Sequence, residues 1–197
     1  GCINLQSITL HEGITTISRK AFDGCVGITT VSLPSSVTTL DKEAFRGCNI
    51  KTVAIGKVFN TIPILYEVFP NVTTLNLQPG IKEIKSNTLN GHQGLTIVIL
   101  SNGVETIGDD AFAGCINLCE VTIPESVTTI GKRAFAGCKS LSNITLPTNL
   151  LVISNGLFHG SGLMTITLPG NATTIGDNAF AECPTLMSIT MPSSITT

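Results

Sequence analysis

One pattern governs this chain: an apolar frame, first seen as Leu5-x-x-Ile8-x-Leu10, returns every 22 or 23 residues from one end to the other. It recurs as Ile28/Val31/Leu33, Ile50/Val53/Ile55, Val72/Leu75/Leu77 and Leu95/Val98/Leu100. It continues as Leu118/Val121/Ile123, Leu141/Ile144/Leu146, Leu163/Ile166/Leu168 and Leu186/Ile189/Met191. A period of this length marks a repeat array, in which each unit is one supersecondary element whose apolar faces are covered by its neighbours. A lone unit has too little apolar surface to offset the entropy of ordering its own backbone, so the units have to stack into a solenoid. The expectation is one array over residues 1–197, of eight complete units and a partial ninth, read as a fragment of a longer array.

Within each unit the last two frame residues stand two apart, the period of a strand with one buried face. Pro34, Pro124, Pro147, Pro169 and Pro192 follow that strand and end it, because proline brings no amide for further pairing. A second extended piece comes next, such as Val37-Thr-Thr-Leu40 or Val127-Thr-Thr-Ile130. Then Ser18, Asp41, Gly108, Gly131, Ser154 or Gly176 caps a short helical turn. That turn carries Ala-Phe in most units, so seven of the eight Phe residues share one column and predict a stacked aromatic spine. The residue before each strand is mostly Asn or Gly (Asn4, Gly27, Asn49, Asn71, Asn117), which predicts a left-handed or strained backbone there.

The cysteines obey the same register. Cys2, Cys25, Cys48, Cys115, Cys138 and Cys183 share one column, and only Cys119 is off it. Val72, His92 and Ser161 fill the column elsewhere. A position that accepts valine is a packing position, where a free thiol serves as a small buried hydrophobe. Disulfides between units are disfavoured, since stacked side chains point in parallel. No C-x-x-C pair exists for zinc or redox chemistry, and neither a metal nor a cofactor is expected.

Composition narrows the function. Charged residues make up 12% of the chain against 42% hydrophobic, which excludes a disordered segment. No Lys/Arg cluster exists to neutralise phosphates, so nucleic acid is not an expected partner. No apolar run approaches the ~20 residues of a transmembrane helix. His11, His92 and His159 form no local motif, no phosphate loop or nucleophile elbow is present, and the chain is read as non-enzymatic.

The unit L-x-x-I-x-L-P-x-S-V-T-x-I-G-x-x-A-F-x-G-C resembles the BspA-like leucine-rich repeat, also called the Treponema pallidum type. Leu118 to Cys138 matches it closely, including Pro124, Ser126, Gly131, Ala134, Phe135 and Gly137. The resemblance implies a parallel strand ladder on the concave face, with short strands and short helical or 3-10 turns on the convex side. It also implies an extracellular or cell-surface setting and, for several members, adhesion to host or matrix proteins or to other microbes. Residues 56–94 depart from the pattern: Ile62 and Phe69 are seven apart instead of five, and Leu89 replaces Phe. Phe59 and Tyr66, the aromatics outside the spine, belong to the same stretch.

Solenoids bind through the exposed face of their strands. The outward columns there are mostly Thr and Ser, which β-propensity alone explains. The positions singled out as partner-binding are Thr74, Asn76, Ile97, Ile99, Glu120, Thr122, Asn143 and Thr145. Ile97 and Ile99 form an outward apolar pair unless a register shift within Thr96–Leu100 buries them; period alone leaves both readings open. Glu120 is the single charge of these columns. An ice-binding hydroxyl array fits poorly with a twisted sheet. Asn71, Asn143 and Asn171 begin glycosylation sequons, and a glycan on Asn143 would block the strand face. The expected function is a protein-binding module, either an adhesin at the cell surface or, as the alternative, an intracellular scaffold holding a partner enzyme. The free-thiol column leans toward a reducing setting.

Overall fold

Strands as short as two residues suffice here because each is one rung of a ladder whose neighbours come from the adjacent units. The computed structural model describes residues 1–57 and 65–196. Phe59, Ile62 and the side chain of Tyr66 lie outside what is described. The chain forms two compact units. In the first, Gly1–Ile81, the elements run β1 (Thr16–Ile17), β2 (Thr30–Ser32), β3 (Thr39–Leu40), β4 (Thr52–Ile55), α1 (Leu65–Val68) and β5 (Thr74–Leu77). Strands β2, β4 and β5 pair in parallel with Val31, Val53 and Leu75 in register, and β1 pairs with β3.

The second unit, Lys82–Thr197, holds β6 (Glu83–Ile84), β7 (Ile97–Ile99), β8 (Thr106–Ile107), β9 (Glu120–Thr122) and β10 (Thr129–Ile130). It continues with β11 (Val152–Ile153), β12 (Thr165–Thr167), β13 (Thr174–Ile175) and β14 (Ser188–Thr190). Strand β8 lies between β6 and β10, while β7 pairs β9, β11 pairs β13 and β12 pairs β14, all parallel. Residues facing inward from the two ladders, such as Val98 and Ile107, are fully buried. The repeat solenoid expected from the sequence is therefore the fold, with one difference in its turns. Among the described residues the only α-helix is α1; elsewhere the Ala-Phe segment is a run of hydrogen-bonded turns, such as Ala44 N–H to Asp41 C=O at 2.9 Å.

These turns form a third ladder. Phe112 N–H donates to Ala134 C=O at 2.9 Å and Gly114 N–H to Ala136 C=O at 2.7 Å, and the same two bonds recur in the following coils. The phenyl rings stack along it: Phe112 on Phe135 at 5.1 Å and 4°, Phe135 on Phe158 at 5.8 Å and 13°, and in the first unit Phe22 on Phe45 at 5.1 Å and 8°.

The left-handed backbone is not where the sequence reading put it. Asn4, Gly27, Asn49, Asn71 and Asn117 all have negative φ; positive values fall on the glycine before the cysteine column and on Lys20, Asn87, Asp110, Arg133 and Asn178 before the Ala column. The column before the strand is instead selected by proximity to the preceding coil. Asn117 Nδ2 donates to Gln93 C=O at 2.7 Å and Thr185 Oγ1 to Leu163 C=O at 3.0 Å. Where glycine stands there, an added Cβ would press on a carbonyl: that of Leu5 at 2.6 Å for Gly27, and that of Lys139 for Gly162.

All seven cysteines are free thiols. Their column does more than pack. The thiols of Cys48, Cys115, Cys138 and Cys183 each donate to the carbonyl of the spine residue one coil earlier, Phe22, Leu89, Phe112 and Phe158, at 3.0–3.2 Å. Burial pushes the Cys115 thiol up to about 12 and also raises that of Cys138, so neither forms a thiolate at neutral pH.

His92 is buried in this column, and loss of hydration lowers its pKa below the usual 6.5. As pH falls through about 6.5 the unfolded chain takes up a proton that the folded chain refuses, so stability declines with falling pH. His92→Val, which copies Val72, should flatten that decline. Urea midpoints measured from pH 7.5 to 5 should separate the two proteins progressively; parallel curves would show that His92 is not the titrating group.

Candidate functional site on the strand face

The eight residues singled out in the sequence fall into one group in each compact unit. In the first, Thr74 and Asn76 of β5 stand beside Thr52 and Ala54 of β4. Asn76 is half-buried, and its Oδ1 has no hydrogen-bond partner among the described residues. Here Gln78 Nε2 reaches across two coils to Ser32 Oγ at 3.1 Å.

In the second unit Ile97 is aligned with Glu120 and Ile99 with Thr122 across β7 and β9. The outward register is the one adopted: Val98 is buried, Ile97 half-buried, and Ile99 retains 41% of its surface. The register-shift reading of this run is thereby overturned. Its physical reason is pairing: Val98 faces Val121 in the ladder, and a slip by one residue would put both isoleucines into a core already filled.

Asn143 and Thr145 are exposed and line two grooves, one on either side of their own segment. The first, about 570 Å³, lies between Cys119–Ile123 and Asn143–Thr145. The second, about 400 Å³, lies between Asn143–Leu146 and the β12 coil. Glu120, Thr122, Asn143 and Thr145 are thus brought to one groove with Ile99 next to it in the ladder, while Thr74 and Asn76 belong to the other compact unit.

Sequence reasoning missed two features. Leu151 and Val152 stand where four other complete units carry Thr-Thr and expose about half of their surface, 52% and 46%, a signal that was visible as a departure from the consensus. The grooves themselves arise from main-chain geometry, which the regular Asn-Ile-Thr-Leu-Pro sequence does not announce beyond the weak strand preference of Asn143.

The edges of the solenoid are tied by carboxylates. Glu12 accepts from the Ser35 and Ser36 amides and from Ser35 Oγ at 2.9–3.1 Å, and Glu125 accepts from Thr148 N–H and Oγ1. The Ser35 amide first, and the serine hydroxyls with it, hold Glu12 below the usual carboxylate range. No group of three or more His, Cys, Asp or Glu among the described residues could hold a metal ion. None of their helices is long and apolar enough to cross a membrane.

A family model described as a BspA type leucine rich repeat region matches in six copies, over residues 1–118 and 82–197. Among solved structures, a leucine-rich repeat protein from Bacteroides ovatus is 34% identical at a TM-score of 0.64, the alignment covering 92% of this chain and 42% of that one. The T. pallidum leucine-rich repeat protein is 32% identical at a TM-score of 0.57, over 59% of this chain and 57% of that one. A leucine rich cell surface protein from Faecalibacterium prausnitzii is 26% identical at 0.52, over 93% and 52%. The chain thus spans about half the length of the structures it matches. A comparison with curated proteins returns no match.

Proposed function

Because the chain belongs to the BspA-type leucine-rich repeat family, whose members generally serve as non-enzymatic scaffolds for protein interaction, we propose that it is a protein-binding module of a secreted or cell-surface protein and mediates adhesion through its strand face. The observation that carries this reading is the run of exposed side chains in the second unit, where the apolar Ile99 adjoins Glu120, Thr122 and the groove bounded by Asn143 and Thr145. An exposed branched aliphatic side chain beside a polar rim is the composition of a contact surface. The cell-surface setting draws on the Faecalibacterium relative, which is described as a cell surface protein. The free thiols favour the alternative of an intracellular scaffold.

Protease shaving of intact source cells separates the two settings: release of peptides from this segment supports the surface reading, and protection until lysis supports the scaffold. Binding is tested with Ile99→Asp at a partly exposed strand position, with an unchanged thermal midpoint as the folding control. Binding to immobilised matrix proteins, or to cytosolic partners if shaving fails, should fall at least tenfold. Unchanged binding would make the strand face a passive spacer.

A further inference from the structure

The strand ladder of the second unit has a gap. β9 pairs with β7 and β12 with β14, but the intervening segment Asn143–Leu146 is not a strand. Among the described residues, neither its amides nor its carbonyls take part in any backbone hydrogen bond. In three other coils the same position is bonded to the next coil: Leu33 N–H to Ala54 C=O at 2.9 Å, Leu100 N–H to Thr122 C=O at 3.1 Å, Leu168 N–H to Thr190 C=O at 2.9 Å. The second strand layer is also interrupted between these coils, where β10 is not paired with β11, whereas the turns stay bonded. Just before it, Ser140 N–H donates to Ile116 C=O at 3.1 Å, and on the turn side Phe135 N–H donates to Leu157 C=O at 3.0 Å and Gly137 N–H to His159 C=O at 2.7 Å. The coil is therefore anchored ahead of the segment by these bonds and just beyond it by Thr148, whose N–H and Oγ1 donate to Glu125, while the segment itself stands open.

We infer that the groove between β9 and Asn143–Thr145 receives an extended segment of a partner protein, which adds to the sheet through main-chain hydrogen bonds and places a basic side chain against Glu120. The inference rests on the protein-binding reading above and names how the partner is held. Extended peptides bind sheets by satisfying an open row of amides and carbonyls, with alternate side chains giving specificity. The groove's volume of about 570 Å³ is in the range of ligand sites. Its floor is apolar, since Val121 and Ile144 are nearly buried yet line it. Its rim is Glu120, Thr122, Asn143 and Thr145, and Glu120 makes no ion pair among the described residues. Inward residues of the incoming strand meet the two aliphatic side chains, and outward ones meet hydroxyls, an amide and one carboxylate.

The test uses this chain and a phage-displayed library of linear dodecapeptides, with synthetic copies of the selected sequences. Selected peptides should combine alternating apolar residues with Lys or Arg. Their binding should slow hydrogen exchange of the amides in 120–123 and 143–146. Thr145→Pro deletes an amide that makes no hydrogen bond among the described residues, so the fold should persist while affinity falls at least tenfold. Glu120→Lys keeps every main-chain group and should shift preference from basic to acidic peptides. If the proline variant fails to fold, the charge variant and the exchange map decide the matter. Selection of no binder, exchange unchanged in both segments, or full affinity in both variants would overturn strand addition. Loss of partner binding in Ile99→Asp with none in Thr145→Pro would keep the strand-face reading and discard this inference alone.

Discussion

Phe135→Ala is expected to lower the free energy of unfolding by about 3–5 kcal/mol, the range for emptying a fully buried aromatic site. Its ring is completely buried and stacked on both faces, by Phe112 at 5.1 Å and by Phe158 at 5.8 Å. Aromatic pairs contribute roughly 0.5–1.5 kcal/mol beyond the area they bury. The neighbouring coils cannot close onto the vacancy, because their spacing is fixed by the turn ladder, where Phe135 N–H bonds Leu157 C=O. Phe180 is the internal control: it is half-buried and stacks on Phe158 at 5.7 Å. Phe180→Ala should cost about half as much, since large-to-small penalties scale with the cavity left behind. Urea denaturation of the two variants checks the ordering, and equal losses would show that the rings do not act as a continuous spine. Because each coil is supported only by its neighbours, the central substitution should also broaden the transition.

Gly162→Ala should cost about 3 kcal/mol, at the upper end of the usual range for overpacking. Its φ is negative, so the penalty is steric and not conformational. The new methyl would meet the carbonyl of Lys139, whose peptide is held in the preceding coil by the Ser140 N–H bond to Ile116 C=O at 3.1 Å. Gly162 N–H donates to Cys138 C=O at 3.0 Å, and pushing the coils apart would break that bond as well. Gly170→Ala is the contrast, since nothing lies within 4 Å of the added methyl. A drop in thermal midpoint for the first and none for the second is the expected result; similar midpoints would locate the constraint elsewhere.

Much of this fold was legible because burial writes itself into residue type. The Leu/Ile/Val frame, the Phe column and the Cys column each repeat at one register, and in the central coils each occupies the buried place that pattern implied, while Cys2 and Met191 in the first and last coils are exposed. What stayed hidden involves the main chain. Glycine and asparagine are chosen for two different reasons, left-handed φ at Gly137 or Asn178 and proximity to the previous coil at Gly162 or Asn117, and composition alone does not separate them. The thiol donors were hidden for a similar reason: valine at position 72 suggested packing alone, whereas Cys115 also satisfies the Leu89 carbonyl. At the strand face, alternation identified outward positions such as Ile99 and Glu120, but the absence of pairing at Asn143–Leu146 has no counterpart in a sequence that keeps the regular frame.

The hydrogen bonds that tie turn to turn and thiol to carbonyl join residues 21 to 26 positions apart. A gene rearrangement that copies or excises one block of 23 codons therefore returns an equivalent donor to every equivalent acceptor at the new junction. Array length becomes a variable that recombination can change without redesigning the interior, as long as the block is whole. Asn143–Leu146 departs from this pattern, as does Gln6–Leu10 in the first coil, which also takes part in no backbone hydrogen bond among the described residues. Duplicating the block that holds Asn143–Leu146 would copy the groove with the coil, and so multiply docking positions along the face at the same stroke as it lengthens the molecule.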